Sequence, residues 1–376
     1  MRQFLISFAF LLIVAFTQAQ TADELYNQGL ALKKDNKSRE ALEKFRQAIK
    51  LSPDDKNIRY EMAWCQNDLK DYRGAVENLR ILKKAGSTVP KVYFESGYAY
   101  EKLEKSDSAL LDYKRCLELK PDYAGVYKRL GYMAYDKDDN AGAIVHFKKH
   151  IELSTTEITD YLFWYRKGFC ENATKDYQAA ILSLEKSKNS KSDYLNTHLE
   201  LGYACMKLKR DEEAINHYKK AIEIDPKDHV GYNGIGEVYR DNKKDYAEAM
   251  SWYKKTLAFN STERKANYGV GYCLNSTEKY GDAISYLKQA IASEPEYTAA
   301  YVEIGYSYYM TSNNSEALTY LKKAMSLSAT NENSRYYAAL VYIKQGEKSQ
   351  AQQIADELKK LNADKGSRIQ AKIDAM

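Results

Sequence analysis

The sequence predicts an all-α solenoid of about ten stacked helix pairs, and two ladders of small residues and one set of prolines predict it. The first ladder is Ala41, Ala75, Ala109, Ala143, Ala180, Ala214, Ala249, Ala283, Ala317 and Ala351, stepping by 34 or 35 residues except for one step of 37. The second runs ahead of it as Gly29, Ala63, Gly97, Gly131, Gly168, Gly202, Gly236, Gly271, Gly305 and Ala339. Two small residues held at one offset and repeated at one period mean one structural unit copied in tandem. Pro53, Pro121, Pro226 and Pro295 fall at a single place in that period, just past the second helix, where they stop it.

Each half-unit reads as about three helical turns. In 90–123, Val92, Tyr93, Ser96, Gly97 and Tyr100 share one face of a first helix; Ala109, Tyr113, Cys116 and Leu117 share one face of a second. The polar link Glu104–Asp107 is short enough to require an antiparallel pair. The glycine of the first helix and the alanine of the second let the backbones approach closely, which is why a glycine is kept inside a helix at a cost of ~1 kcal/mol.

Small residues at the eighth, twentieth and twenty-seventh places of a 34-residue helix–turn–helix, with proline at the thirty-second, resemble the tetratricopeptide repeat (TPR). The match is carried by Gly29, Ala41, Phe45, Ala48 and Pro53, and again by Leu201, Gly202, Ala214, Tyr218, Ala221 and Pro226. It places units one to four at 22–157, an inserted junction at 158–160, units five to ten at 161–365 and a C-terminal tail at 366–376. The resemblance implies a right-handed superhelix whose first helices line a concave groove. The long step falls on Ser154–Asp160, a Ser/Thr-rich stretch poor in helix formers, and a bend between the fourth and fifth units is expected there.

Hydrophobic residues make up 44% of the chain and charged ones 29%, so each unit has one face to bury and one to solvate. The 57 cations and 52 anions are interleaved without a basic block, which gives nucleic-acid binding no support. Residues 1–19 read as a signal peptide: Arg2, an apolar run from Phe4 to Phe16, and the small residues of Thr17-Gln18-Ala19. This thirteen-residue run is short for a membrane span; the alternative reading is an uncleaved anchor, and membrane association is otherwise expected only through partners. The composition and this leader resemble exported proteins of Gram-negative bacteria, which implies the periplasm.

Cys65, Cys116, Cys170, Cys205 and Cys273 occupy packing positions in five different units and read as free buried thiols, with Cys170–Cys205 the one neighbouring pair that could bridge. His146 and His150 share a helix face at the spacing that can hold zinc, but no third ligand accompanies them and His150 stands where alanine usually packs. No phosphate loop or nucleophile motif is present. The reading is a non-enzymatic protein with no cofactor.

The informative side chains lie one place after the second ladder. By the resemblance this ninth position faces the groove, and it carries Trp64, Tyr98, Tyr132, Phe169, Tyr203, Tyr272 and Tyr306. The fifth position, groove-facing by the same resemblance, adds Tyr26, Tyr60, Phe94, Tyr165, Tyr268 and Tyr336. Tyrosine offers large contact area, few rotors to freeze and a polar tip, which suits binding; each ring could instead pack on the neighbouring helix. Lys128, Arg129 and Arg166 form a basic cluster that could receive a carboxylate or pair with Glu95 and Asp136. The Lys and Asn that family members use to clamp acidic chaperone tails are missing, since Tyr132 stands where Asn is required beside Lys128. Two functions remain. The first is a scaffold binding a peptide or protein segment along the aromatic groove. The alternative is a glycan-binding, polysaccharide-export scaffold that stacks sugars on the same rings, with Asn67, Asn172, Asn196 and Asn275 as hydrogen-bonding groups.

Overall fold

The structure is a computed structural model and describes residues 20–376; the signal-peptide reading of 1–19 lies outside the described residues. Among the described residues there are helices and turns and no strand. They form two compact units that divide between Ile158 and Thr159.

The first unit holds four antiparallel pairs: α1 (Ala22–Lys34) with α2 (Ser38–Leu51), α3 (Lys56–Asp68) with α4 (Tyr72–Lys84), α5 (Pro90–Lys102) with α6 (Ser106–Leu119), and α7 (Ala124–Tyr135) with α8 (Asn140–Leu153). The second holds six: α9 (Tyr161–Ala173) with α10 (Tyr177–Ser190), α11 (Leu195–Lys207) with α12 (Asp211–Ile224), α13 (His229–Glu237) with α14 (Tyr246–Phe259), α15 (Arg264–Ser276) with α16 (Tyr280–Ser293), α17 (Thr298–Met310) with α18 (Asn314–Leu327), and α19 (Glu332–Gln345) with α20 (Lys348–Leu361). The segment read as a tail belongs to a further helix, α21 (Ala363–Asp374), whose Ile369 and Ile373 are buried. It packs on α20 and closes the end of the last pair, as a terminal repeat with an otherwise bare apolar face requires.

Local chemistry sets each pair. Ten times the first helix ends on one residue in the left-handed region, at φ of 57° to 66° for nine residues from Asn36 to Ser312 and 76° for Gly346. That conformation reverses the chain within a few residues. Asp55 and Asp160 cap α3 and α9 by accepting from the first backbone N–H groups. The hydroxyls of Tyr127, Tyr232 and Tyr301 each donate to the carbonyl of the preceding proline (Pro121, Pro226, Pro295) at 3.0–3.2 Å, tying each incoming first helix to the turn before it.

The small-residue ladders lie at the closest approaches. A Cβ placed on Gly97 would stand 2.6 Å from the Tyr113 ring, and one on Gly202 2.7 Å from Tyr218. Every alanine of the first ladder is fully buried. The five cysteines are buried, and burial raises the thiols of Cys65 and Cys273 to about 12 and those of Cys116 and Cys205 to about 11. Lys167, at a place that is normally apolar, is buried with Glu171 as its ion pair and donates to Ser183 at 2.9 Å. The 35-residue step is absorbed by a π-helical turn, Val238–Lys243, that continues α13.

Candidate binding face

First helices lie side by side, α3–α5–α7 in the first unit and α9–α11–α13–α15–α17–α19 in the second, so their fifth and ninth positions form rows. Tyr26, Trp64, Phe94, Tyr98, Phe169, Tyr203, Tyr268, Tyr272 and Tyr306 are partly exposed on these rows. Tyr60, Tyr132 and Tyr165 are buried, Tyr132 to 6% exposure with its ring edge-on to Phe147 at 5.8 Å. Even the exposed rings are held from the side. Phe94 and Tyr268 each rest on a tyrosine at the end of their own repeat (Tyr123, Tyr297) at 5.1 Å, as buried Tyr165 does on Tyr194.

Within these rows one frame is built three times, a regularity longer than the repeat. The pattern Cys-x-Asn-x4-Tyr occurs at Cys65, Asn67, Tyr72, at Cys170, Asn172, Tyr177 and at Cys273, Asn275, Tyr280. Each is followed by Glu-x-Gly-Tyr in the next repeat: Glu95 and Tyr98, Glu200 and Tyr203, Glu303 and Tyr306. The amide of Asn67 donates to the Glu95 carbonyl at 3.1 Å and to its carboxylate at 2.7 Å. Asn172 holds Glu200 at 3.0 and 2.7 Å, and Asn275 holds Glu303 at 3.1 and 2.8 Å. The paired tyrosines meet edge to face at 6.2, 6.0 and 5.8 Å. Burial raises the carboxyl of all three glutamates above the usual range, and the asparagine bond opposes it. Asn67, Asn172 and Asn275 are therefore committed to neighbouring helices, and Asn196 donates to the Tyr194 hydroxyl. The amide N–H groups that a sugar platform would offer are used internally.

The three frames differ in what the following repeat lays on the tyrosine. In the first it is Arg129, whose guanidinium lies 5.2 Å from both the Tyr98 and Tyr132 rings and pairs with Glu101, the Nε bond being 2.9 Å. Tyr113 also donates to Glu101, at 2.9 Å. In the third it is Tyr337, 4.8 Å from Tyr306. In the second the equivalent residue is Gly234, and the space beside Tyr203 is a cavity of about 630 Å³. The cavity beside Tyr98 in the first frame is smaller, about 400 Å³.

The basic cluster thus resolves differently from the sequence expectation. Arg129 is tied to Glu101, one helical turn beyond Tyr98, and not to Glu95 or Asp136, because Glu101 shares its buried aromatic surroundings. Lys128 lines the Tyr98 cavity, 5.7 Å from the Tyr132 ring, while Arg166 belongs to the second unit. His150 bonds the Ala124 carbonyl at 3.0 Å, and His146 lies against Tyr127. Among the described residues no three histidine, cysteine or acidic side chains are grouped to hold a metal, and no helix is long and apolar enough to cross a membrane.

Family models described as tetratricopeptide repeats match residues 22–55, 90–123, 202–243, 276–332 and 308–373. The chain is 24% identical over 254 residues to the BBSome complex member bbs-4 of Caenorhabditis elegans, covering 65% of this chain and 54% of that protein. It thus spans about half the length of that relative. Among solved structures, a tetratricopeptide repeat protein from Parabacteroides merdae superposes with a TM-score of 0.52 at 17% identity, covering 66% of this chain and 98% of that one. The Cut9–Hcn1 hetero-tetramer of the APC/C superposes with a TM-score of 0.52 at 13% identity, covering 94% and 90%. At such identities the structural likeness concerns the fold alone.

Proposed function

We propose that this chain, which belongs to the tetratricopeptide repeat family, is a non-catalytic scaffold that binds a segment of a partner protein on the aromatic face of its first helices. The observation that carries the reading is the aromatic-walled cavity of the second unit, at Tyr203, with its ring pre-set by an edge contact to Tyr177. A ring already held from the side loses little freedom on binding, the condition under which aromatic residues become hot spots. Relatives described as members of assemblies, such as the BBSome component, are consistent with a scaffold. An exported, periplasmic setting follows from the leader-like residues 1–19 and is part of the proposal.

The test is affinity capture by the chain from a periplasmic extract, with a glycan array probed in parallel. A protein partner lost with Tyr203→Ala supports the scaffold. Glycan binding that follows the same substitutions, with no protein retained, contradicts it.

A further inference from the structure

The three frames show what a planar group does on the frame tyrosine, and the second frame has none of its own. In the first frame the guanidinium of Arg129 meets the faces of Tyr98 and Tyr132 and the carboxylate of Glu101, to which the Tyr113 hydroxyl also donates. The equivalents in the second frame are Gly234 for Arg129, Tyr203 for Tyr98, Glu237 for Tyr132, Met206 for Glu101 and Tyr218 for Tyr113. The cation is therefore missing while a ring, a hydroxyl and a displaced carboxylate remain around the place it would take.

Those groups are poorly satisfied. Tyr218 is 3% exposed and lines the cavity, and its hydroxyl makes no hydrogen bond among the described residues; its counterpart Tyr113 has Glu101. The Oδ1 of Asn172 is without a donor too, but so is that of Asn67 in the filled frame, so it does not set the second frame apart. Glu237 lines the same cavity without an ion pair of its own, its nearest charge partner Arg240 being paired with Asp241, and Glu200 has only the Asn172 amide. Both carboxylates act on Tyr218 and on Tyr203, raising each phenol beyond what burial does, which places them around one space. The other charged groups lining it are otherwise engaged or outward. Glu263 caps α15 and accepts from Asn233 at 3.0 Å, Arg264 pairs with Glu294 at 3.0 Å, and Lys175 and Lys265 are exposed.

We propose that the Tyr203 cavity seats the guanidinium of an arginine from the partner polypeptide, stacked on Tyr203, paired with Glu237 and Glu200 and donating to the Tyr218 hydroxyl. This rests on the scaffold reading and names the chemistry of the partner: a basic, arginine-bearing segment. Arginine fits better than lysine because a planar donor can stack on a ring and engage two carboxylates at once. Gly234 cannot supply the group in cis, since a Cβ there would stand 2.5 Å from the Tyr218 ring.

The test uses the full chain and three fluorescein-labelled octapeptides that alternate alanine with arginine, lysine or citrulline, the last being planar but uncharged. Anisotropy at low salt is expected to show the arginine peptide binding about tenfold more tightly than the citrulline peptide, as a charge-assisted pair requires, with lysine in between. Glu237→Gln should remove most of that preference, whereas Glu101→Gln, in the first frame, should leave it unchanged. Equal binding of arginine and citrulline peptides, lysine equal to arginine, or no binding by any of the three overturns the inference. The scaffold reading is judged separately, by the captured partner, and survives each of those outcomes.

Discussion

The frames around Tyr98 and Tyr203 share an asparagine–glutamate clamp, an edge-on tyrosine and a glycine contact, yet one is filled by its own chain and the other is open. The first offsets its buried charge internally through Arg129 and Glu101; in the second neither Glu200 nor Glu237 forms an ion pair. The lesson is that the repeat supplies a rigid frame, and a single residue of the next repeat decides whether that frame is packing or a receptor. The third frame, closed by Tyr337, shows the packing outcome with an uncharged ring.

The largest expected effect tests whether the frames are mechanically alike. Gly97→Ala and Gly202→Ala each force a Cβ against a buried tyrosine ring, and each should destabilise by about 3 kcal/mol in urea unfolding. A cost at one and none at the other would separate the frames. Next, Asn172→Ala leaves a buried carboxylate and a carbonyl without their donor and should cost about 2 kcal/mol. Asn275→Ala should cost more, because Asn275 also receives the Ser307 hydroxyl at 2.7 Å. That extra bond is transferable. Ala204 holds the place of Ser307 in the second frame, so Ala204→Ser should satisfy the Asn172 Oδ1 and stabilise by about 1 kcal/mol. A loss of stability there would show that the two clamps differ in geometry.

The smallest effect concerns pH. In the first unit Lys83 pairs with Asp112 at 2.7 Å; the same two places in the second hold Lys188, which pairs with Glu185, and His217. Burial, with Lys188 and then His198, lowers the His217 imidazole from 6.5 to about 4 against the opposing pull of Glu185 and Glu213. The unfolded chain takes up that proton between those values and the folded chain does not. Stability is therefore present above pH 6.5 and is lost as the pH falls towards 4, by about 1 kcal/mol once solvent screening is allowed for. His217→Asp should flatten this dependence by restoring the ion pair. An unchanged slope in thermal melts from pH 7 to 4.5 would remove His217 from the account.

Much of this was legible in the sequence for a physical reason. Small residues are compulsory wherever two helices touch in every repeat, so the ladders ending at Ala351 and Ala339 mark the pairs directly. The rows of rings followed from the same register. Whether a ring is covered did not, because the covering residue (Arg129, Gly234 or Tyr337) lies in the next repeat and its partner, such as Glu101, in yet another helix turn. The threefold frame was present as Cys-x-Asn-x4-Tyr but is invisible when the repeats are aligned as one consensus. The 35-residue step showed that a residue is inserted; only the backbone shows it taken up as a π turn beside Glu237.

The most direct test of the central claim compares Tyr203→Ala with Tyr306→Ala, measuring partner affinity and unfolding free energy for each. The two effects should dissociate. Tyr203→Ala should weaken partner binding by about tenfold or more with little change in stability, as for a hot-spot ring. Tyr306→Ala, whose ring lies under Tyr337, should cost about 1–2 kcal/mol of stability and leave binding unchanged. Equal losses of affinity from the two, or a stability loss at Tyr203 as large as at Tyr306, would contradict it.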